Sequence, residues 1–163
     1  MLPPRPPDFP PLLPLGFHPK TLDEIDKLCV AGFPLSKSRK PIMEGLRQFV
    51  QKLNDAEVEG DLWLDGSFLS QKIDPKDVDI VLRLSGEFYD AAEPVVRDAV
   101  DWVVTNQKST LLCDSYTLFE YQTTHPLHDE GKWWYSYWHV KWGFSRQEVP
   151  KGIAVVPLTG KNS

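Results

Sequence analysis

Apolar and polar residues repeat along the chain with two different periods, and the change from one to the other outlines its elements. Ile42, Leu46, Phe49 and Leu53 recur every three or four residues, which predicts a helix opened by Ser38 or its neighbours and ended by "NDAEVEGD". Thr21 and Glu24 have the spacing of a capping box ahead of "LDEIDKLCV", predicting a shorter helix before it. The rhythm then shortens to that of strands, with "LWLD" and "VDIVLRL" flanking a polar loop. "EFYDAAEPVVRDAVDWVV" returns to helical spacing, with Pro94 shortening or kinking it. "TLLCDSYTLFEY" reads as a third strand.

Both ends of the chain have their own character. Seven of the first fourteen residues are proline, so fixed φ angles and missing amide donors exclude helix and central strand from residues 1–19. An extended arm is predicted there. Leu12, Leu13, Leu15 and Phe17 make it apolar enough to lie on its own domain, although a proline-rich arm can also serve a partner's aromatic groove. In "GKWWYSYWHVKWGFSRQ", Trp134, Trp138 and Trp142 fall at helical spacing, predicting a helix that packs an aromatic face onto the sheet. The alternative use of such rings, stacking on bases, would call for many interleaved Lys or Arg. The closing "KGIAVVPL" reads as a last strand, placed at a sheet edge by Pro157. The expected architecture is an α/β (α+β) domain over residues 20–163, a small mixed sheet with helices packed on it.

Composition narrows what such a domain can be. With 163 residues, 41% of them hydrophobic, and six Trp, the chain can bury a full core. Its apolar runs are too short for a membrane span, and the N-terminus lacks the basic start and apolar centre of an export signal, so a cytoplasmic protein is expected. Cys29 and Cys113 are too few for a disulfide framework or a zinc knuckle and read as buried thiols. The net charge of -5 argues against coating DNA or RNA through bulk electrostatics.

The stretch that departs from core patterning is "DGSFLSQKIDPKDVDIVL", residues 65–82. Alternation along a strand puts Asp77, Asp79, Val81 and Arg83 on one face and Val78, Ile80, Leu82 and Leu84 on the other. Two carboxylates about 6–7 Å apart repel and raise each other's pKa unless a cation lies between them. Mg²⁺ suits that role, since it takes few protein carboxylates and completes its shell with water and phosphate oxygens. Upstream, Gly66 follows a strand ending in Asp65, where a glycine lets the backbone approach a phosphate, with the Ser67 hydroxyl and nearby amides as donors. The bland alternative is an ordinary turn followed by a solvated strand end.

A hydrophobic strand, Gly66-Ser67, a nine-residue gap and then Asp77-Val78-Asp79-Ile80 resembles the nucleotidyltransferase fold superfamily, to which polymerase beta belongs, and especially its small bacterial minimal members. The likeness covers roughly residues 40 to 120. The whole chain is also similar to a bacterial family of uncharacterised nucleotidyltransferase-like proteins. The resemblance implies that Gly66 and Ser67 hold a triphosphate, that Asp77 and Asp79 bind Mg²⁺ or Mn²⁺, and that a third carboxylate comes from a later strand, best matched by Asp114 in "LLCDSYTL".

Three carboxylates with two metals would activate a hydroxyl and neutralise a leaving pyrophosphate. The implied activity is transfer of a nucleoside monophosphate from an NTP to a hydroxyl on a protein or RNA, with a cognate operon-encoded partner protein and a toxin-antitoxin or antiphage setting among its implications. Lys72 and Lys76, in the loop before Asp77, are the candidate triphosphate contacts, although loop lysines are more often simply solvated. Arg83 can pair with Asp79. His125 and His128 have a metal-like spacing without a matching Cys pair, so zinc is not expected. The rival reading is a fold that has lost catalysis and binds nucleotide or a partner without turnover.

Overall fold

The computed structural model of the protein describes residues 1, 3 and 8–159. Five strands form one mixed sheet: β1 (Gly16–Pro19), β2 (Glu59–Asp65), β3 (Val78–Ser85), β4 (Cys113–Glu120) and β5 (Gly152–Thr159), in the order β1-β5-β2-β3-β4. β2 runs antiparallel to both β3 and β5, whereas the pairs β1–β5 and β3–β4 are parallel. The helices are α1 (Leu22–Asp26), which continues as a π-helical turn over Lys27–Ala31, α2 (Arg39–Asp55), α3 (Gly86–Ala91), α4 (Pro94–Val104), the short α5 (Lys108–Leu111) and α6 (His128–Gly143).

Alternation along the strands divides the core into two layers. Leu62, Leu64, Ile80 and Leu82 point to the face covered by α1, α2 and α4, where α2 buries the predicted Ile42, Leu46, Phe49 and Leu53 together with Met43 and Val50. Six side chains at about 1.5–3 kcal/mol each give this docking a gross stabilisation on the order of 10 kcal/mol, most of it offset by conformational entropy. Trp63, Val81, Leu118 and Ile153 point to the opposite face, where Trp138 and Trp142 of α6 close a smaller aromatic core. The carboxylates lie on this second face, along its uncovered margin.

Local chemistry explains the helix starts. The capping box forms as expected: the Glu24 amide donates to Thr21 Oγ1 at 3.1 Å and the Thr21 amide to Glu24 Oε2 at 2.7 Å. α2 is capped differently, since Ser38 makes no side-chain cap. Instead Ser36 Oγ accepts from the Arg39 amide, and Asp74 Oδ1 accepts from the Lys37 amide at 2.8 Å, so the helix start is tied to the loop that leads into β3.

Several elements differ from the sequence pattern. The helical stretch around Pro94 is two helices, because Pro94 takes the first position of α4, where its missing amide costs nothing. The first residues of the expected third strand coil into α5, and Leu112 turns the chain with φ 57° before β4 begins at Cys113. β5 is internal rather than an edge. β1 stops opposite Val155, so at Pro157 the strand has a neighbour only in β2, and proline meets there the conditions of an edge. Trp138 and Trp142 are buried as expected, but Trp134 is 42% exposed, because the start of α6 overhangs β4, beyond which the sheet has no further strand.

The arm lies on its own domain where it is described: the Leu12 amide donates to Leu69 O and the Gln71 amide to Pro10 O, both at 2.9 Å, and Leu13 is buried. The rest of the expected arm, at residues 2 and 4–7, lies outside the described residues. Cys29 and Cys113 are free and buried, and burial pushes both thiols up to about 12. Among the described residues no helix is long and apolar enough to cross a membrane.

Candidate active site

Strand register assembles the site. Asp79 on β3 pairs with Asp65 on β2 and with Asp114 on β4, and paired residues on neighbouring strands project from the same face. Three carboxylates thus form a row across three strands about 4.8 Å apart. Asp77, just ahead of β3, stands beside the row. Asp114 occupies the place expected of it. Asp65 is a fourth member that the sequence pattern presents only as a strand end, although an acid closing an apolar strand directly before Gly-Ser is a signal in itself.

Two lysines not singled out in the sequence face these carboxylates. Lys151 Nζ, on the residue before β5, donates to Asp65 Oδ2 at 2.7 Å. Asp65 is 2% exposed, and among the described residues its Oδ1 has no hydrogen-bond partner. Lys108 Nζ, at the start of α5, lies 3.1 Å from Asp77 Oδ2 and 3.8 Å from Asp114 Oδ2. Asp114 Oδ1 accepts from Asn106 Nδ2 at 2.6 Å.

The electrostatics follow from this packing. Burial, reinforced by the negative charges of Asp77, Asp65 and Asp114, pushes the Asp79 carboxyl up to about 7. Burial raises Asp65 to about 6 against the opposing pull of Lys151. The Lys108 ammonium is held above its usual range by its hydrogen bond to Asp77 and the nearby carboxylates. Four carboxylates face two ammonium groups, so with all four ionised two negative charges would stand unbalanced, the charge of one divalent cation.

Gly66 is required by the geometry. Its φ is 86°, and a Cβ added there would lie 2.6 Å from Asp79 Oδ2, so only glycine lets the backbone pass over that carboxylate. Ser67 opens a single 3-10 turn (Ser67–Leu69), and its half-buried hydroxyl forms no hydrogen bond with a described residue. Arg39 holds the following loop from below. Fully buried and with no carboxylate partner among the described residues, it donates to the carbonyls of Cys29, Phe68, Ser70 and Lys72 at 2.6–2.8 Å. That set of bonds gives the Gly66–Asp77 loop a defined shape.

The other residues raised by the sequence fall outside the cluster. The Lys72 ammonium lies over the Phe9 ring, 5.9 Å from its centroid, and Lys76 is exposed. Arg83 pairs with Glu120 at 2.8 Å and Asp61 at 3.4 Å rather than with Asp79, since Asp61 is its partner in the β2–β3 register. His128 Nδ1 lies 2.8 Å from Tyr121 O, and the His125 ring stacks on Tyr121. Among the described residues no three His, Cys, Asp or Glu side chains are already gathered as a metal site. In the carboxylate cluster, Lys108 stands between Asp77 and Asp114.

No curated protein and no solved structure matches the chain. One family model matches residues 7–157, nearly the whole length. The chain therefore belongs to the DUF6932 family, a family of unknown function.

Proposed function

We propose that this chain is a divalent-metal-dependent nucleotidyltransferase that moves a nucleoside monophosphate from an NTP to a hydroxyl on a protein or RNA. The observation that carries the reading is the carboxylate row beneath Gly66. Asp65, Asp79 and Asp114 share one face with Asp77 beside them, their full ionisation would leave two negative charges beyond the two lysines, and a buried Asp65 oxygen has no hydrogen-bond partner among the described residues. Such a group is costly to leave uncompensated and suits Mg²⁺ or Mn²⁺, which prefer carboxylate and phosphate oxygens. Asp77, Asp79 and Asp114 would hold the metal, which supplies charge neutralisation for the phosphates.

The remaining chemistry belongs to the chain. Gly66 brings its backbone close above the cluster, and the Ser67 hydroxyl is available to a phosphate oxygen. The first amides of the 3-10 turn have no partner within the turn and add donors. In the transfer, the acceptor oxygen bonds to the α-phosphorus, the bond to the bridging oxygen breaks, pyrophosphate departs, and the hydroxyl proton passes to a carboxylate of the cluster. Lys151 favours the ionised form of Asp65 within the row, and Asp77 and Asp114, which Lys108 now bridges, would be ligands of the metal. Buried free thiols and an NTP substrate suit the cytoplasm.

One observation favours a second reading. Lys108 and Lys151 already neutralise half of the cluster, as a site retired from catalysis would require. Thermal unfolding with ATP, GTP, CTP and UTP, with and without Mg²⁺ or Mn²⁺, tests the metal-nucleotide binding that the enzyme reading requires. The enzyme reading expects metal-dependent stabilisation by at least one NTP that Asp77→Asn abolishes. Absence of stabilisation by every pair, with wild type and variant alike, would overturn metal-nucleotide binding.

A further inference from the structure

α6 is apolar on both sides. Tyr135, Trp138 and Trp142 face the sheet, where they close the smaller core. At about 100° per residue, Trp133, Tyr137 and Val140 fall within an arc of about 60° on the opposite side of the helix. These three are 59%, 39% and 63% exposed, and Trp134, on the flank of the stripe, is exposed as well. α2, the other long helix, buries every one of its large apolar side chains. A helix apolar on both faces is one built to be covered on both.

The exposed rings already hold one another in place. Trp133 stacks on Tyr137 with centroids 5.7 Å apart and planes tilted by 13°, and Trp134 meets both edge-on, at 4.8 and 5.6 Å. Order present in the free chain reduces the entropy lost when a partner covers the rings. With about 150–250 Å² for each aromatic side chain, the four residues leave roughly 400 Å² of apolar surface in water, in the range of patches that commonly serve a function. Covering it on two copies would bury about 800 Å², the apolar part of a standard interface of about 1,200–2,000 Å².

We propose that a second copy of this chain covers the stripe, the two α6 helices lying antiparallel about a two-fold axis. Charge complementarity selects this occupant. Glu130 in the first turn and Lys141 in the last lie on the same flank of the stripe, and among the described residues neither forms an ion pair. Lys141 leans over the stripe instead, its Nζ donating to the Tyr137 hydroxyl at 3.2 Å. Residues on one flank meet in an antiparallel pair, so Glu130 of each copy comes beside Lys141 of the other, and the same register sets Trp133 of each copy beside Tyr137 of the other. The helix dipole accounts for an acid at the start and a base at the end, but not for their place on one flank. A patch that complements itself is the property an isologous two-fold interface requires. Pairing of this kind needs neither nucleotide nor metal.

The test is sedimentation equilibrium of the full chain from about 1 to 100 μM, since interfaces of this area have dissociation constants of about micromolar or below. The chain should sediment at twice its own mass. Trp133→Ala and Val140→Glu, both at exposed side chains, should keep the circular dichroism of the wild type and weaken association by about tenfold or more. Glu130→Lys and Lys141→Glu should each weaken it by repulsion, whereas a mixture of these two variants should form a heterodimer in which every flank charge again meets its opposite. A chain monomeric throughout would overturn the proposal and leave the stripe to a different protein. A dimer undiminished in both Trp133→Ala and Val140→Glu would place the contact elsewhere and overturn it too. Failure of the mixed charge variants to associate more strongly than either alone would overturn the antiparallel pairing.

Discussion

Raising the pH from 5 to 8 should destabilise this protein, because two carboxyls of the cluster, the buried Asp65 and the half-buried Asp79, hold their protons more tightly folded than unfolded. Asp79 rises from an ordinary 3.8 to about 7, and Asp65 from 3.8 to about 6. For a raised carboxyl the folded state binds more protons between the two pKa values, so stability is greatest at the acidic end of that window and falls as the pH climbs through the folded value. Between pH 5 and 8, Asp79 accounts for a loss of about 3 kcal/mol and Asp65 for about 1 kcal/mol. Asp61, also raised by burial, acts in the same sense. The comparison starts at pH 5 because Glu24, Asp74 and Glu87 are lowered by hydrogen bonds and lose their contribution in more acidic solution. Urea unfolding at pH 5, 6, 7 and 8 would show the wild-type midpoint falling, with Asp79→Asn retaining only the smaller part of the slope. A flat wild-type profile, or an Asp79→Asn profile as steep as wild type, would refute the electrostatic description of the cluster.

Other perturbations probe the same framework. Lys151→Met strands the buried Asp65 charge and should cost about 3–5 kcal/mol in urea unfolding at pH 8, with most of the loss recovered in the double variant Asp65→Asn/Lys151→Met. Trp138→Ala, at a side chain 6% exposed, should cost about 3–5 kcal/mol and leave NTP binding measurable in the fraction that folds. Arg39→Met leaves four buried or half-buried carbonyls without their donor; it should lower the melting temperature and speed hydrogen exchange at residues 68–72.

The site was legible where its signal was local. Gly66, Ser67, Asp77 and Asp79 lie within one short stretch, and strand alternation predicts the two aspartates on one face, although Asp77 lies one residue ahead of β3. Asp114 stands out as an ionisable residue in an apolar run, and parallel pairing brings it into register with Asp79. Asp65, Lys108 and Lys151 depend on which strands become neighbours: Lys151 is 86 residues from Asp65, and no local pattern announces their contact. The same dependence explains Pro157, whose edge-like surroundings arise from the shortness of β1. It also explains Trp134, whose helical spacing matches the core stripe although α6 carries it past the last strand. Arg39 looks like one more polar residue at a helix start, yet it is buried against the carbonyls of a loop more than 25 residues away.

The most direct test of the central claim is transfer of label from NTPs carrying a radioactive α-phosphate, incubated with the protein, Mg²⁺ and a cell lysate that is then divided into protein and RNA. Label should appear in the protein or the RNA fraction with at least one of the four nucleotides, and should disappear with EDTA and with the Asp77→Asn and Asp79→Asn variants. Label in neither fraction with any nucleotide, or label undiminished by both variants, would contradict the assignment of this carboxylate cluster as a nucleotidyltransferase centre.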